Sequence, residues 1–353
     1  MTAAREFAAR VVAWQATHGR HDLPWQGTRD PYRIWLSEIM LQQTQVSTVV
    51  GYYRRFLERF PDVRALAAAT PDDVLAAWSG LGYYGRARRL HRCAQVVVAE
   101  LGGEFPRSSE ALAALPGIGR STAAAIAASA FGERAAILDG NVKRVLARWL
   151  GFGADLARPA NERALWQHAD ALLPRRGIEA YTQGLMDLGA TVCLARSPNC
   201  RLCPLADDCV ARREGAPERY PLKSRRVARG RRESVWLWLH HADRVWLQRR
   251  PAHGVWAGLW SLPEFDGFEA LAAASRGWPG EGEALPAIEH ALTHFDWVLH
   301  PRRWILPAAL PARDALALAA PLAAPGEGRW CTRDEALALG LPAPLRRLLG
   351  GLR

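Results

Sequence analysis

The stretch Leu115–Ile126, LPGIGRSTAAAI, sets two glycines around one apolar residue and then opens into an alanine-rich run. Glycine has no Cβ and a helix N-terminus carries partial positive charge, so backbone N–H groups at such a turn can approach an anion closely. The stretch matches neither G-x-x-x-x-G-K-[ST] nor G-x-G-x-x-G, which removes the two common nucleotide-binding loops. Two readings remain from these residues alone: a turn that grips a phosphate, or a helix-turn-helix corner whose glycines serve packing.

The flanking pattern is helical. In YRIWLSEIMLQQTQV, Tyr32, Trp35, Leu36, Ile39 and Met40 recur at i, i+3, i+4, i+7 and i+8, one apolar stripe that starts after Asp30-Pro31. Similar stretches run over 71–78, 87–101, 109–115, 121–130, 141–150 and 161–173, so an all-α first domain over residues 1–215 is expected, with the glycine hairpin at 109–130. From Arg212 to Arg232 nine Lys/Arg stand against Glu214 and Glu218, a net +7 of the chain's +11. Residues 216–232 read as a basic linker, either a solvated charge run or a segment that tracks phosphates. Beyond it the texture turns to strands. SVWLWLHHADRVWLQRR, from Ser234, reads as a hairpin, 258–262, 296–299 and 303–306 as further strands, and 267–274 as a helix. Residues 233–353 are expected to form an α+β domain.

Composition agrees with two folded domains: 353 residues, 49% hydrophobic and 23% charged. No apolar run approaches a membrane span, and Arg5, Glu6 and Arg10 interrupt the start, so a cytosolic protein with no membrane partner is expected, as a monomer. The net charge of +11 favours a polyanion as partner.

Cys193, Cys200, Cys203 and Cys209 stand as C-x6-C-x2-C-x5-C, with Cys93 and Cys331 far away. In a reducing compartment, clustered thiolates hold metal rather than disulfides. Four of them suit structural zinc or an iron-sulfur cluster, and the spacing leaves both open. Glu38, with Ile34 and Leu41 as helical neighbours, borders the apolar stripe, where burial raises a carboxyl pKa; an exposed surface glutamate is the other reading. Asp139 reads as an Asp-Gly turn or helix cap, and Asn141 and Ser121 as N-caps.

Taken together and in order, LPWQ (Leu23–Gln26), WLSEIMLQQTQV (Trp35–Val46), GLGYYGRARRL (Gly80–Leu90), LPGIG, LDGNVKRVLAR (Leu138–Arg148) and the four cysteines resemble the helix-hairpin-helix DNA glycosylases related to endonuclease III. Within that superfamily they resemble the MutY-type adenine DNA glycosylases, closely over residues 1–215 and more loosely beyond. The resemblance implies a monofunctional enzyme of base excision repair. Such an enzyme flips adenine opposite 8-oxoguanine or guanine out of double-stranded DNA and hydrolyses its N-glycosidic bond. It also implies one 4Fe-4S cluster on the four cysteines, with zinc as the alternative. Glu38 would protonate the adenine ring nitrogen and activate water; Asp139, kept ionised, would stabilise the cationic sugar. Asn141 would orient the sugar or water. Bifunctional relatives carry a lysine where this chain has Ser121, and a serine forms no imine.

By the same resemblance, Gly117 and Gly119 would clamp a DNA phosphate. Gln43 and Tyr83 would fill the gap left by the flipped base, with Thr44 and Leu81 beside them. Leu23, Trp25 and Gln183 would line the adenine pocket, with His21 at a variable pocket position, and Arg86, Arg88, Lys143 and Arg144 would contact phosphates. The second domain resembles the MutT-like Nudix fold without its G-x5-E-x7-R-E-x-x-E-E motif, so no pyrophosphohydrolase activity is expected. Leu292, Thr293 and His294 stand where the family has a Phe-Ser-His lesion-reading loop; leucine lacks a face for stacking, which leaves Thr293 and His294. The rival readings are an endonuclease III type lyase on oxidised pyrimidines and a lesion-binding protein without catalysis.

Overall fold

The computed structural model describes residues 3–222, 224 and 229–351. Its contacts divide the chain into two units, Met1–Ala68 with Arg89–Arg226 and Ala69–Arg88 with Val227–Arg353. Residues 223 and 225–228 of the basic linker lie outside the described residues.

The helices up to the linker are α1 (Ala3–His18), α2 (Pro31–Leu41), α3 (Val46–Arg59), α4 (Val63–Ala68), α5 (Pro71–Trp78), α6 (Gly85–Leu101), α7 (Ser109–Ala113), α8 (Arg120–Phe131), α9 (Gly140–Leu150), α10 (Pro159–Ala171), α11 (Ile178–Thr191) and α12 (Val210–Arg213). Asp30 starts α2 by accepting the Tyr32 N–H, with Pro31 in the first turn, where its missing N–H costs nothing. The expected stripe is buried: Tyr32, Trp35, Leu36, Ile39 and Met40 all face inward. The alanines among residues 123–128, with Ile126 between them, make the centre of α8 thin and buried, so that α2, α7 and α11 pack around it. The core of this unit is built from Phe7 and Val11 of α1, Val145 and Leu146 of α9, and Leu185 and Leu188 of α11. Gly184 permits the approach of α1 to α11, since a Cβ there would stand 2.9 Å from Val11 Cγ1. Helix α5, which periodicity alone groups with the other helices, packs within the second unit, where Ser79 Oγ just after it donates to Leu341 O at 3.1 Å.

The second unit carries one mixed sheet of β1 (Gly230–His241), β2 (Arg244–Arg249), β3 (Trp260–Ser261), β4 (Glu264–Phe265), β5 (Glu281–Ala284), β6 (Ile288–Ala291), β7 (Phe295–Leu306) and β8 (Gly328–Thr332). Strand order is β3-β2-β1-β7-β5, with β4 beside β1, β6 beside β7 and β8 beside β2. Helices α13 (Phe268–Ala274), α14 (Ala312–Ala319), α15 (Arg333–Leu337) and α16 (Ala343–Gly351) complete it. Strands β1 and β7 run parallel from Gly230↔Phe295 to His241↔Leu306. Both faces of β1 are buried at its centre, which is why VWLWL reads as a continuous apolar run rather than an alternation.

Two expectations change here. The segments 296–299 and 303–306 are one strand that passes through Pro301, whose carbonyl accepts the Leu285 N–H at 3.0 Å. The basic segment stops short of 232, because Gly230–Arg232 already pair with β7, and Arg232 lies over the Trp297 ring at 4.4 Å and pairs with Glu264 at 2.7 Å.

Candidate active site and cysteine cavity

Glu38 sits on the buried side of α2, half-buried. Burial, and after it the charge of Asp139, pushes its carboxyl up to about 7. Asp139 lies at the N-cap of α9, where Oδ1 accepts the Val142 N–H at 2.8 Å. Burial raises the pKa of Asp139 as well. The N–H groups of Val142 and Asn141 and the cations Arg144 and Lys143 act against that rise. Nothing comparable acts on Glu38, where both causes point upward. The two environments are therefore unequal, with amides and cations opposing the rise at Asp139 and none opposing it at Glu38.

The glycine-bracketed turn stands next to this pair. Gly119 is the N-cap of α8 and Gly117 adopts φ +80°, where a Cβ would meet Arg89 Cβ at 2.7 Å. Both glycines are exposed. Ser121 is not the cap that position suggested; it lies inside the first turn, and its Oγ accepts the Leu138 N–H at 2.9 Å. The hydroxyl thereby holds the backbone immediately before Asp139. Asn141 likewise is not a cap. It sits in the first turn of α9, with Oδ1 accepting from Arg144 at 2.9 Å, and packs against Gly189 of α11. A Cβ at residue 189 would stand 2.6 Å from Asn141 Cβ. Gly189→Ala is expected to displace the start of α9, destabilise the protein by about 1–3 kcal/mol and slow any chemistry that uses Asp139, as read by thermal unfolding beside single-turnover assays.

Leu23 and Gln183 are tied into one hydrogen-bonded frame whose hub, Asp187, was not singled out in the sequence. Asp187 is fully buried and accepts from Arg20 Nε at 2.7 Å, from the Arg20 backbone N–H at 3.0 Å and from Gln183 Nε2 at 2.9 Å. The Arg20 carbonyl in turn accepts Gln26 Nε2 at 2.8 Å, and Gln26 Oε1 accepts the Leu23 N–H at 3.1 Å. Trp25 is buried edge-on against Tyr53, with ring centroids 5.4 Å apart. His21 is exposed and its Nε2–H donates to Gln15 O at 2.9 Å. The available signal was an acid set among the apolar positions of YTQGLMDLGA, four residues after Gln183, since a carboxylate there needs a partner.

Gln43 and Tyr83 share an unusual backbone. Five non-glycine residues among those described have positive φ, and these are two of them, at +58° and +49°. Both side chains are exposed, Tyr83 by 49%. Thr44 closes the same turn with its N–H on Leu41 O at 3.3 Å. Leu81 is buried in the second unit, with its N–H on Trp78 O at 3.1 Å and its carbonyl accepting from Arg86 at 3.3 Å.

The four expected phosphate contacts are all engaged within the protein. Arg86 is buried over the Trp78 ring at 5.4 Å, Arg88 donates to Ala257 O at 2.5 Å, and Lys143 pairs with Glu162 at 2.6 Å. Arg144 donates to Cys193 O at 2.7 Å and Gly189 O at 2.6 Å, joining α9 and α11 to the cysteine loop. In the second unit Leu292, Thr293 and His294 form the tip between β6 and β7, closed by the Leu292 N–H on Phe295 O at 2.9 Å. Thr293 and His294 are exposed there.

Cys193, Cys200, Cys203 and Cys209 line one cavity with Val145, Val192 and Leu205. Among the described residues no three His, Cys, Asp or Glu side chains converge on a position for one metal ion. Burial pushes the Cys203 thiol up to about 12 and that of Cys209 above its usual range, so neither ionises without a compensating cation. Arg148 Nη1 donates to Cys193 Sγ at 3.3 Å, and backbone N–H groups of Leu205, Arg212 and Ala211 point to Cys203 and Cys209. Four soft donors in an apolar cradle, with N–H groups aimed at sulfur, fit a thiolate-held metal centre.

No helix among the described residues is long and apolar enough to cross a membrane. Residues 36–169 match the HhH-GPD superfamily base excision DNA repair proteins and residues 234–350 the NUDIX domain. The adenine DNA glycosylase of Buchnera aphidicola subsp. Acyrthosiphon pisum (strain APS) is 38% identical over 259 residues, 73% of this chain and 74% of that protein. The Homo sapiens adenine DNA glycosylase is 43% identical over 215 residues, 58% of this chain and 39% of its own length. Among solved structures, a thermostable thymine-DNA glycosylase aligns with a TM-score of 0.54 at 31% identity, over 60% of this chain and 97% of that one. With a helical unit that sets a glutamic acid of raised pKa near a capping aspartate, and relatives that match along most of its length, the chain belongs to the adenine DNA glycosylase family.

Proposed function

We propose that the protein binds double-stranded DNA and removes adenine paired with 8-oxoguanine or guanine, as a monofunctional glycosylase. The observation that carries this reading is the Glu38–Asp139 pair, one carboxyl held near 7 beside another that helix amides and cations favour as the anion. Leaving-group protonation and stabilisation of an oxocarbenium-like sugar need those two states at once. Glu38 gives its proton to the adenine ring and then accepts one from the attacking water. Asp139 faces the sugar, and Asn141 orients it.

The glycosylase domain is the helical unit that precedes the basic linker, and the lesion-reading domain is the sheet unit whose first strand is β1. Gly117 and Gly119 hold a phosphate at the start of α8. Gln43 and Tyr83 enter the opened stack with Thr44 and Leu81 behind them, and Leu23, Trp25, Gln183 and the His21 segment bound the extruded adenine. Thr293 and His294 read the opposite base, with Leu292 as an apolar neighbour. The four cysteines hold a 4Fe-4S cluster, which when bound cross-links the loop and supplies no chemistry to bond hydrolysis. A brown protein supports it, and a colourless one with stoichiometric zinc replaces it by the structural alternative.

The test is single-turnover base release from duplexes that differ only in the mispair. Adenine is expected to leave from A opposite 8-oxoguanine, then from A opposite G, and not from A opposite T. Borohydride is expected to trap no protein-DNA adduct, because Ser121 supplies no amine. Trapping, or release of oxidised pyrimidines, overturns the reading in favour of a lyase. Tight binding with no release overturns it in favour of a lesion-binding protein.

A further inference from the structure

The second unit contains a cavity of about 240 Å³ between the central strands and the C-terminal helices, lined by Trp238 and His240 of β1, Arg303 of β7, Arg333 of α15 and Leu349 of α16. In the parallel register Trp238 stands opposite Arg303, so their side chains emerge together on the same face of the sheet. Three nitrogens of the lining residues have no hydrogen-bond partner among the described residues: Trp238 Nε1, His240 Nδ1 and Arg303 Nε. Trp238 is only 7% exposed, so its indole N–H is a buried donor that folding has left unanswered. Such groups cost about 1–3 kcal/mol each unless something accepts from them.

The lining is rich in donors. Indole and guanidinium nitrogens donate only, and the single acidic lining residue, Asp243, is an exposed residue of the β1–β2 turn. Arg303 is anchored by Glu283 through Nη1 at 3.3 Å and rests over the Trp238 ring at 5.7 Å, which leaves Nε for another partner. Arg333 is anchored through Nη2 on Gly350 O at 2.9 Å. Donors on two strands and a helix reach the cavity from different directions, an arrangement suited to a tetrahedral group with several acceptor oxygens rather than to a planar carboxylate.

We propose that this cavity is a binding site for the phosphate group of a small molecule, held by Trp238, Arg303 and Arg333. It is separate from the residues assigned to base excision, and it places a soluble phosphate or nucleotide on the lesion-reading domain. The source of the phosphate, free ion or nucleoside monophosphate, is settled by comparing the two as ligands.

The experiment follows indole ¹⁵N–H signals of the full-length protein during titration with inorganic phosphate, with adenosine 5′-monophosphate and acetate in parallel. The Trp238 signal, assigned by its loss in Trp238→Phe, is expected to move to saturation. That of Trp246, also unpartnered but not a lining residue, is expected to stay. Arg303→Gln is expected to weaken binding by at least about tenfold, as for a hydrogen bond to a charged group. Arg313→Gln, an exposed control of equal charge change, should leave it unaltered. The proposal is overturned if Trp238 does not respond, if acetate binds as well as phosphate, or if Arg303→Gln and Arg313→Gln behave alike. Should Trp238→Phe fail to fold, the contrast between the two arginine variants decides by isothermal calorimetry.

Discussion

Glu38→Gln is expected to lower single-turnover adenine release by about 10²- to 10⁴-fold, the usual worth of a general acid-base group, while duplex binding survives. Glutamine keeps the shape of the side chain and cannot carry the proton. With its carboxyl at about 7, wild-type Glu38 is protonated in a large fraction of molecules at neutral pH, and activity should fall as pH rises through that value. Stability moves the same way. Folding lifts Glu38 from 4.5 to about 7, so the unfolded chain ionises first and the native state loses stability as pH rises across that interval. The loss is complete above pH 7 and amounts to at most about 3 kcal/mol. Glu38→Gln should therefore be the more stable protein in alkaline buffer and no more stable near pH 4, measured by urea unfolding at several pH values. A variant that is inactive but no more stable at high pH would show that the glutamate is not held protonated by the fold.

Arg148→Ala is expected to destabilise the helical unit by at least about 3 kcal/mol and to empty the cysteine cavity of metal. Arg148 is 2% exposed and donates to Leu194 O at 2.6 Å, Ala195 O at 3.0 Å, Tyr220 O at 3.3 Å and Cys193 Sγ at 3.3 Å. Removing it takes a donor from three carbonyls and the Cys193 sulfur, and leaves the space of a fully buried side chain unfilled. Lysine should not rescue, since one ammonium cannot reproduce a planar fork on four acceptors. Urea unfolding together with the metal-to-protein ratio reads both effects. Full stability with full metal content would show that the loop is held by its cysteines alone.

What the sequence disclosed and what it hid follow from the range of each interaction. The α2 stripe, the Asp30-Pro31 start and the alanine run of α8 are local patterns, and helix geometry turns them directly into buried faces. The parallel pairing of β1 with β7 joins residues far apart in the chain, and with Pro301 inside it one long strand reads as two short ones. Asp187 escaped notice because its ionic partner, Arg20, lies on a segment far away in the chain. The partners of Arg86, Arg88, Lys143 and Arg144 were hidden for a related reason: a basic side chain carries no mark of the carbonyl or carboxylate that folding brings to it. Glu38 and Asp139 were legible by resemblance. Their unequal environments belong to the folded chain.

The left-handed backbone at Gln43 and Tyr83 bears on how such a protein would scan a genome. Conformations of this kind carry on the order of 1–3 kcal/mol of distortion, already present before any duplex arrives. If these residues are the probes that enter the base stack, they are stiff fingers, and little rearrangement of these turns separates contact from interrogation. Discrimination between sound and damaged sites then falls on the duplex, on how readily a given pair parts when pressed.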